Sequence, residues 1–309
     1  MSWHATPPNS SLPGVRPTAA VTRLRYAPGW VLSVGKSLLL GQQRSFALDA
    51  QRLVEGIAPK PCLENADRIP LSGAFVVVAN HYYKPGYTAW WGMALIAAAI
   101  ARVRPTDSDV TWLMANRWTY PDWLRSHLVT PLTHWLFTRM ARTWGFVSMP
   151  PMPPRPQYVA EGARAVRQIL SLLASAPDGH KPCIGFAPEG YDSPDGSLME
   201  PPPGVGRLLL HLDKHGLPLL PVGVAEVDGV LTARFGQPFQ LQVATNLDRT
   251  ALDRLASAQA MTAIGAQLPR ELWGAYRAQI EAAVGSVNGW KPDKRMSTRE
   301  ATSYPFSAD

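Results

Sequence analysis

The sequence is short of sulfur and of charge. Two cysteines, Cys62 and Cys183, occur in 309 residues. Two cannot build a disulfide framework, and a reduced, intracellular setting fits them best. Charged residues are 17% of the chain and apolar residues 46%. That balance excludes a disordered polyelectrolyte and leaves a globular chain long enough to bury a sizeable core. No apolar run reaches the roughly 18 residues of a membrane-spanning helix. The longest, from Trp90 to Val103, is Ala-rich and meets Arg102 and Arg104. The opening Met-Ser-Trp-His-Ala-Thr-Pro-Pro lacks the basic start and apolar run of a secretory signal. There is no Gly-x-Ser-x-Gly elbow, which disfavours a serine hydrolase. There is no Walker loop and no Cys/His spacing suited to zinc, so neither a metal nor a resident cofactor is expected.

Proline, in contrast, is abundant: 30 residues, clustered at Pro150–Pro156 and Pro201–Pro203, where rigid loops are expected. Residues 1–20, rich in Pro, Ser, Thr and Gly, are expected to form a loose tail, and 289–309 another. Charge is unevenly spread. Residues 1–60 hold seven basic and two acidic side chains, whereas 181–240 hold four basic and seven acidic. A basic amino-terminal end suits an anionic partner. Nucleic acid is not expected, because no recognition module or interleaved basic and aromatic patch is present. Within residues 21–69, Trp30-Val31-Leu32 and Leu38-Leu39-Leu40 flank Lys36. That combination predicts an interfacial helix on an anionic bilayer, and 21–69 is read as a membrane-associating segment. Trp90 and Trp91, on a helix, are read as core.

From residue 70 to 288, strand and helix signals alternate. Strands are expected at 74–78, 110–114, 183–186, 217–224 and 230–235. Helices are expected at about 87–102, 121–143, 161–175, 205–215 and, twice, within 248–285. The alternation predicts a single α/β domain, a mostly parallel sheet flanked by helices. Ligands of such sheets sit off the carboxyl ends of the strands. His81, in Asn80-His81, directly follows one strand. Glu189, in Pro188-Glu189-Gly190, follows another. A histidine so placed suits a general base.

Asn80-His81 precedes Ala187-Pro188-Glu189-Gly190 by about a hundred residues, and Leu217-Pro218-Leu219-Leu220-Pro221-Val222-Gly223-Val224 comes about thirty later. In this order the motifs resemble those of the glycerol-phosphate and lysophosphatidic acid acyltransferase family: Asn-His, four residues and Asp; Phe-Pro-Glu-Gly-Thr-Arg; and Val-Pro-Val-Gly. Arg142-Thr143-Trp144-Gly145-Phe146-Val147 resembles the family's second block. Two departures from the pattern matter. Gly86 stands where the family has the Asp that orients the histidine, and Tyr191-Asp192 stand where it has Thr-Arg.

The resemblance implies an acyltransferase domain over 70–288. It would move a fatty acyl group from acyl-CoA or acyl carrier protein to a hydroxyl of a lysophospholipid or glycerol phosphate. It implies His81 as the catalytic base, with Asn80, Lys84, Arg142, Glu189 and Gly190 in substrate binding. Arg155 and Arg207 are further cations for a phosphate. With Gly86 in place of Asp, the second ring nitrogen of His81 needs another partner: Glu189, a tyrosine hydroxyl (Tyr82, Tyr83 or Tyr87), a backbone carbonyl or water. The partners implied are a lipid acceptor, the acyl donor and a membrane surface, with the protein cytoplasmic and peripheral on the inner face. The departures also imply an alternative, a weak or inactive lipid- or acyl-CoA-binding protein of the same fold.

Overall fold

In a computed structural model, the protein is described for residues 22–84, 86–106, 109–152, 155–175, 182–243 and 247–285. The tails expected at 1–20 and 289–309 lie outside these residues. In chain order the elements are β1 (Arg23–Leu24), α1 (Pro28–Leu40), α2 (Phe46–Glu55), β2 (Ile57–Ala58), β3 (Cys62–Glu64), β4 (Val76–Ala79), α3 (Ala89–Val103), β5 (Val110–Ala115), α4 (Trp123–Trp144), β6 (Val147–Met149), α5 (Val159–Ser175), β7 (Cys183–Phe186), α6 (Val205–Lys214), β8 (Leu219–Val227), β9 (Val230–Phe235), α7 (Arg249–Gly265) and α8 (Arg277–Gly285).

Seven strands form one sheet in the order β3-β9-β8-β4-β7-β5-β6. Every neighbouring pair is parallel except β8 and β9, the hairpin that turns at Asp228-Gly229. The expected α/β class with a mostly parallel sheet is therefore the observed one. β4 is central and all four of its residues are buried. A strand covered on both faces needs no polar alternation, which is why it reads as a bare Val-Val-Val-Ala run. The two faces are visible at β8. Val224 meets α3 at Gly92, where an added Cβ would lie 3.3 Å from it. Its neighbour Gly223 points the other way, and a Cβ there would lie 2.6 Å from the Gln267 carbonyl oxygen just after α7.

The chain passes from β4 through α3 to β5, through α4 to the edge strand β6, and returns through α5 to place β7 between β4 and β5. That return matters most for the site. It sets the carboxyl ends of β4 and β7 side by side, although about a hundred residues separate them. Val78 pairs with Phe186, so His81 and Glu189, each three residues further on, emerge level with one another.

The described part of this segment, residues 22–69, shares the core of the rest. Val34, Phe46, Ala50, Leu53 and Val54 belong to the same buried cluster as the sheet. Asp49, 2% exposed, ties this part down. It accepts hydrogen bonds from Trp30 Nε1 (3.1 Å), Arg44 Nε (2.7 Å) and Trp144 Nε1 (2.8 Å). Burial pushes its carboxyl up, but the Arg44 and Trp144 hydrogen bonds outweigh it and hold the group below the usual carboxylate range. Trp30 is thus an anchor to the body. Trp90 and Trp91 are core residues, Trp90 packing against Phe46 (5.1 Å) and Trp144 (5.2 Å).

Removing a partner from a buried ion pair leaves the other charge uncompensated. Asp49→Ala is expected to lower the unfolding free energy by about 3 kcal/mol. The Asp49 contribution is present above the unfolded carboxylate pKa of about 4 and lost as pH falls through the lower folded value. Denaturant titrations at pH 7 and pH 3 check this: the gap between wild type and variant should narrow at pH 3, and a gap under about 1 kcal/mol at pH 7 would refute it.

Candidate active site

The site opens at the carboxyl end of β4. Asn80 is buried and fully used by the scaffold. Its Nδ2 donates to the Val224 carbonyl (2.9 Å) and its Oδ1 accepts from the Val224 N–H (2.7 Å). An asparagine at this point clamps the end of β4 to β8 and fixes where the next residue starts. That next residue is His81, whose side chain is 25% exposed.

Glu189 is 1% exposed. Its Oε2 accepts the backbone N–H of His81 (2.6 Å) and its Oε1 accepts the backbone N–H of Met199 (2.8 Å). Both oxygens are engaged, so the carboxylate splints the β4 loop to the β7 loop. Burial raises its pKa, against the two hydrogen bonds and the nearby His81, which lower it. Gly190 follows at φ +73°, and a Cβ there would stand 3.0 Å from Met152 Cγ, so glycine satisfies both the turn and the contact.

The sequence-level candidates for His81's second partner were Glu189, the tyrosines, a carbonyl or water. Asp192 takes that place. Its Oδ1 lies 2.9 Å from His81 Nδ1. The approach is within ion-pair range but not in line with a ring N–H, and Nδ1 makes no aligned hydrogen bond. Asp192 is 52% exposed. Glu189 meets the His81 backbone, not the ring, and Tyr82 and Tyr87 turn into the core, ring to ring at 5.2 Å. In the sequence Asp192 stands out only as a departure from the family's Thr-Arg. The signal that could have found it is its position, two residues past Gly190 in the loop that Glu189 holds beside His81.

That loop is shaped by its own side chains. Asp195 Oδ1 accepts from Ser193 Oγ (2.8 Å), Ser197 N (3.0 Å) and Ser197 Oγ (2.6 Å), and these bonds hold its carboxyl down to about 2. Gly196, at φ +78°, lies where a Cβ would be 2.8 Å from the Tyr83 carbonyl oxygen. The turn therefore packs directly on the chain that follows His81.

The expected cations are dispersed. Lys84 pairs with Glu226, near the end of β8. Arg142 is exposed in the last turn of α4, which leads into the amino end of β6. All five strands from β8 to β6 run the same way, so Arg142 lies at the opposite end of the sheet from His81. Arg155 and Arg207 are exposed on chain that adjoins the site: Arg155 follows the Met152 contact to Gly190, and Arg207 is in the first turn of α6. Cys183 is buried in β7, 3.5 Å from Arg104 Nη1. Among the described residues, no group of three or more His, Cys, Asp or Glu could hold a metal ion.

No protein-family model and no curated protein sequence matches the chain. Among solved structures it is similar to the 1-acyl-sn-glycerophosphate (LPA) acyltransferase PlsC from Thermotoga maritima. The TM-score is 0.43 and the identity 15%, over 84% of this chain and 90% of that one. So distant a likeness carries no argument about chemistry, which rests instead on the side chains.

Replacing Glu189 by Gln keeps the shape but points an amide donor at a backbone donor. The expected cost is about 2 kcal/mol of unfolding free energy. Because burial raises the Glu189 pKa, its contribution is full below the unfolded value and lost as pH rises through the raised one, opposite in sign to Asp49. Chemical denaturation of wild type and Glu189→Gln between pH 4 and 7 tests both points. Equal stability at every pH would remove Glu189 from its splinting role.

Proposed function

We propose that the protein is an O-acyltransferase that moves a fatty acyl group from acyl-CoA or acyl carrier protein to a hydroxyl of a lysophospholipid or glycerol phosphate. It would work at the inner face of the membrane as a peripheral protein. The observation that carries the proposal is a carboxylate, Asp192, beside Nδ1 of His81 in a chain whose motifs are ordered as in that family. Nδ1 faces Asp192, so Nε2 is the nitrogen available to a substrate. Nε2 accepts the hydroxyl proton as the oxygen attacks the thioester carbon. The carbon–sulfur bond breaks, and the leaving thiolate takes the proton back from the imidazolium. The products are an ester and a free thiol. Asp192 stabilises the transient imidazolium and favours the tautomer with hydrogen on Nδ1. Loose alignment without substrate is common for such pairs and does not count against them.

Glu189 and Asn80 act here through the backbone, by fixing where His81 stands. Lys84, held by Glu226, is a poorer phosphate ligand than Arg155 or Arg207, which are exposed on the chain following β6 and in the first turn of α6. The alternative, an inactive lipid-binding protein of the same fold, drew on the missing motif Asp at Gly86. A carboxylate supplied from the neighbouring loop weakens that motive.

Thioester consumption with a panel of lysophospholipid and glycerol phosphate acceptors tests the proposal. His81→Ala is expected to fall to background. Asp192→Asn is expected to lose roughly a hundredfold in kcat, with the fold intact. Equal turnover by wild type and His81→Ala would overturn the assignment. Binding of acyl-CoA with no turnover for any acceptor would favour the alternative.

A further inference from the structure

Among the described residues, most of the large apolar side chains left on the surface lie on α1 and α4 and their lead-in segments, Leu32, Leu39 and Leu40 on the first and Trp118, Trp123 and Leu128 on the second, each at least 55% exposed; Leu48, Leu71, Val159 and Leu247 are exposed elsewhere. Within α4, Leu124, Leu128, Pro131, Leu132 and Trp135 are exposed at spacings of three and four, a single stripe.

Where this stripe sits follows from three hydrogen bonds. The Asn116 N–H, just past β5, bonds the Met149 carbonyl at the end of β6. The Asn116 carbonyl meets His134 Nδ1 at 3.1 Å. The Trp118 N–H donates to Thr133 Oγ1 at 3.2 Å. Residues 133 and 134 are therefore level with the carboxyl edge of the sheet, and Trp123–Leu132 project beyond it. Ten helical residues at 1.5 Å each make an overhang of about 15 Å. It stands at the same end of the sheet as His81. The exposed pair Leu39 and Leu40 lies at the other end: next to it, Gly41 is near Arg139 and the Arg44 N–H bonds the Thr143 carbonyl, level with the last turn of α4.

We infer that the α4 overhang is the element that inserts into the interfacial layer of an anionic bilayer and presents the His81 end of the sheet to it. The chain as a whole carries a net charge of +7, which favours an anionic layer. On the overhang itself, Asp122 at the cap is paired with Arg125, and no acidic residue lies within α4. Trp118 and Trp123 at its base and tip suit the headgroup layer. At about 15 Å the overhang is long enough to carry its apolar stripe to the roughly 5–10 Å depth at which interfacial helices bury their apolar faces. Among the described residues no helix is long and apolar enough to cross a membrane. The inference deepens the proposed function, in that the substrate is taken to lie in the membrane, but α4 rather than α1 becomes the seat.

Co-sedimentation of the full chain with phosphatidylcholine vesicles, with and without phosphatidylglycerol, tests it. Wild type is expected to bind the anionic vesicles more tightly, and less so at high salt. Leu124→Asp/Leu128→Asp should weaken that binding roughly a hundredfold. Leu39→Asp/Leu40→Asp should stay within about threefold. All four positions are exposed, and circular dichroism confirms that each variant is folded. The inference is overturned if the α4 variant binds like wild type, if wild type ignores both vesicles, or if wild type is a dimer that the α4 variant splits. His81→Ala should bind vesicles as wild type does. Binding retained in a protein without acyl turnover would sink the catalytic assignment and leave the docking element standing.

Discussion

The site depends on one buried carboxylate. Glu189 receives the backbone N–H of His81 on one oxygen and that of Met199 on the other. A charge 1% exposed is stable only where its acceptor capacity is met. That requirement works in both directions. The two loops come together because the carboxylate needs their N–H groups, and the carboxylate is tolerated because the loops supply them. The strand register has already made His81 and Glu189 level, so little backbone adjustment is needed. Asn80 adds a second constraint from the other side by clamping β4 to β8. His81 is therefore held by its main chain while its ring stays free to meet a ligand.

Once the loops are joined in this way, a carboxylate for the imidazole can come from either. The related motif pattern takes it from the histidine's own loop, five residues on. Here that place is Gly86, exposed and at φ +81°, and the carboxylate comes from the opposite loop at Asp192. The electrostatic need is the same, a negative charge at Nδ1, but the route is tertiary. The route also alters the surroundings. The family's arginine position becomes an acid, and under the proposed function positive charge for a phosphate would come from further out, from Arg155 and Arg207. Asp195 and Gly196 matter because they give the loop bearing Asp192 a defined turn against Tyr83.

Much of the architecture was legible from pattern. β4, β5, β7, β8 and β9 are apolar, β-branched or aromatic runs, and their alternation with amphipathic helices gave the parallel sheet. The edge strands β3 and β6 were not legible, because three residues carry no period. α4 begins two residues later than expected because Asp122 caps it. The order of strands was also hidden: setting β7 between β4 and β5 is a long-range packing choice that no local signal encodes. For the candidate site, His81, Asn80 and Glu189 stood out as motif residues and the structure brings them together, but Asp192 was not credited. Its importance is a distance between loops. Lys84 was a candidate for phosphate only as a cation near the motif in sequence, and β8 was expected to end at Val224. The strand runs on to Val227 and places Glu226 against the lysine.

Exposure of Asp192 connects the chemistry with the surface around it. At 52% exposure the carboxylate is well solvated, and its pull on an imidazolium is weak while water surrounds it. A ligand or a lipid layer covering that end of the sheet would lower the local dielectric and strengthen the pair at the stage when the imidazolium forms. The α4 overhang projects from the same end. Under the proposed function, an apolar prong and a half-exposed acid–base pair at the same end of the sheet are two parts of one arrangement. The first would bring an apolar phase to the mouth of the site, and the second would become effective when that phase displaces water.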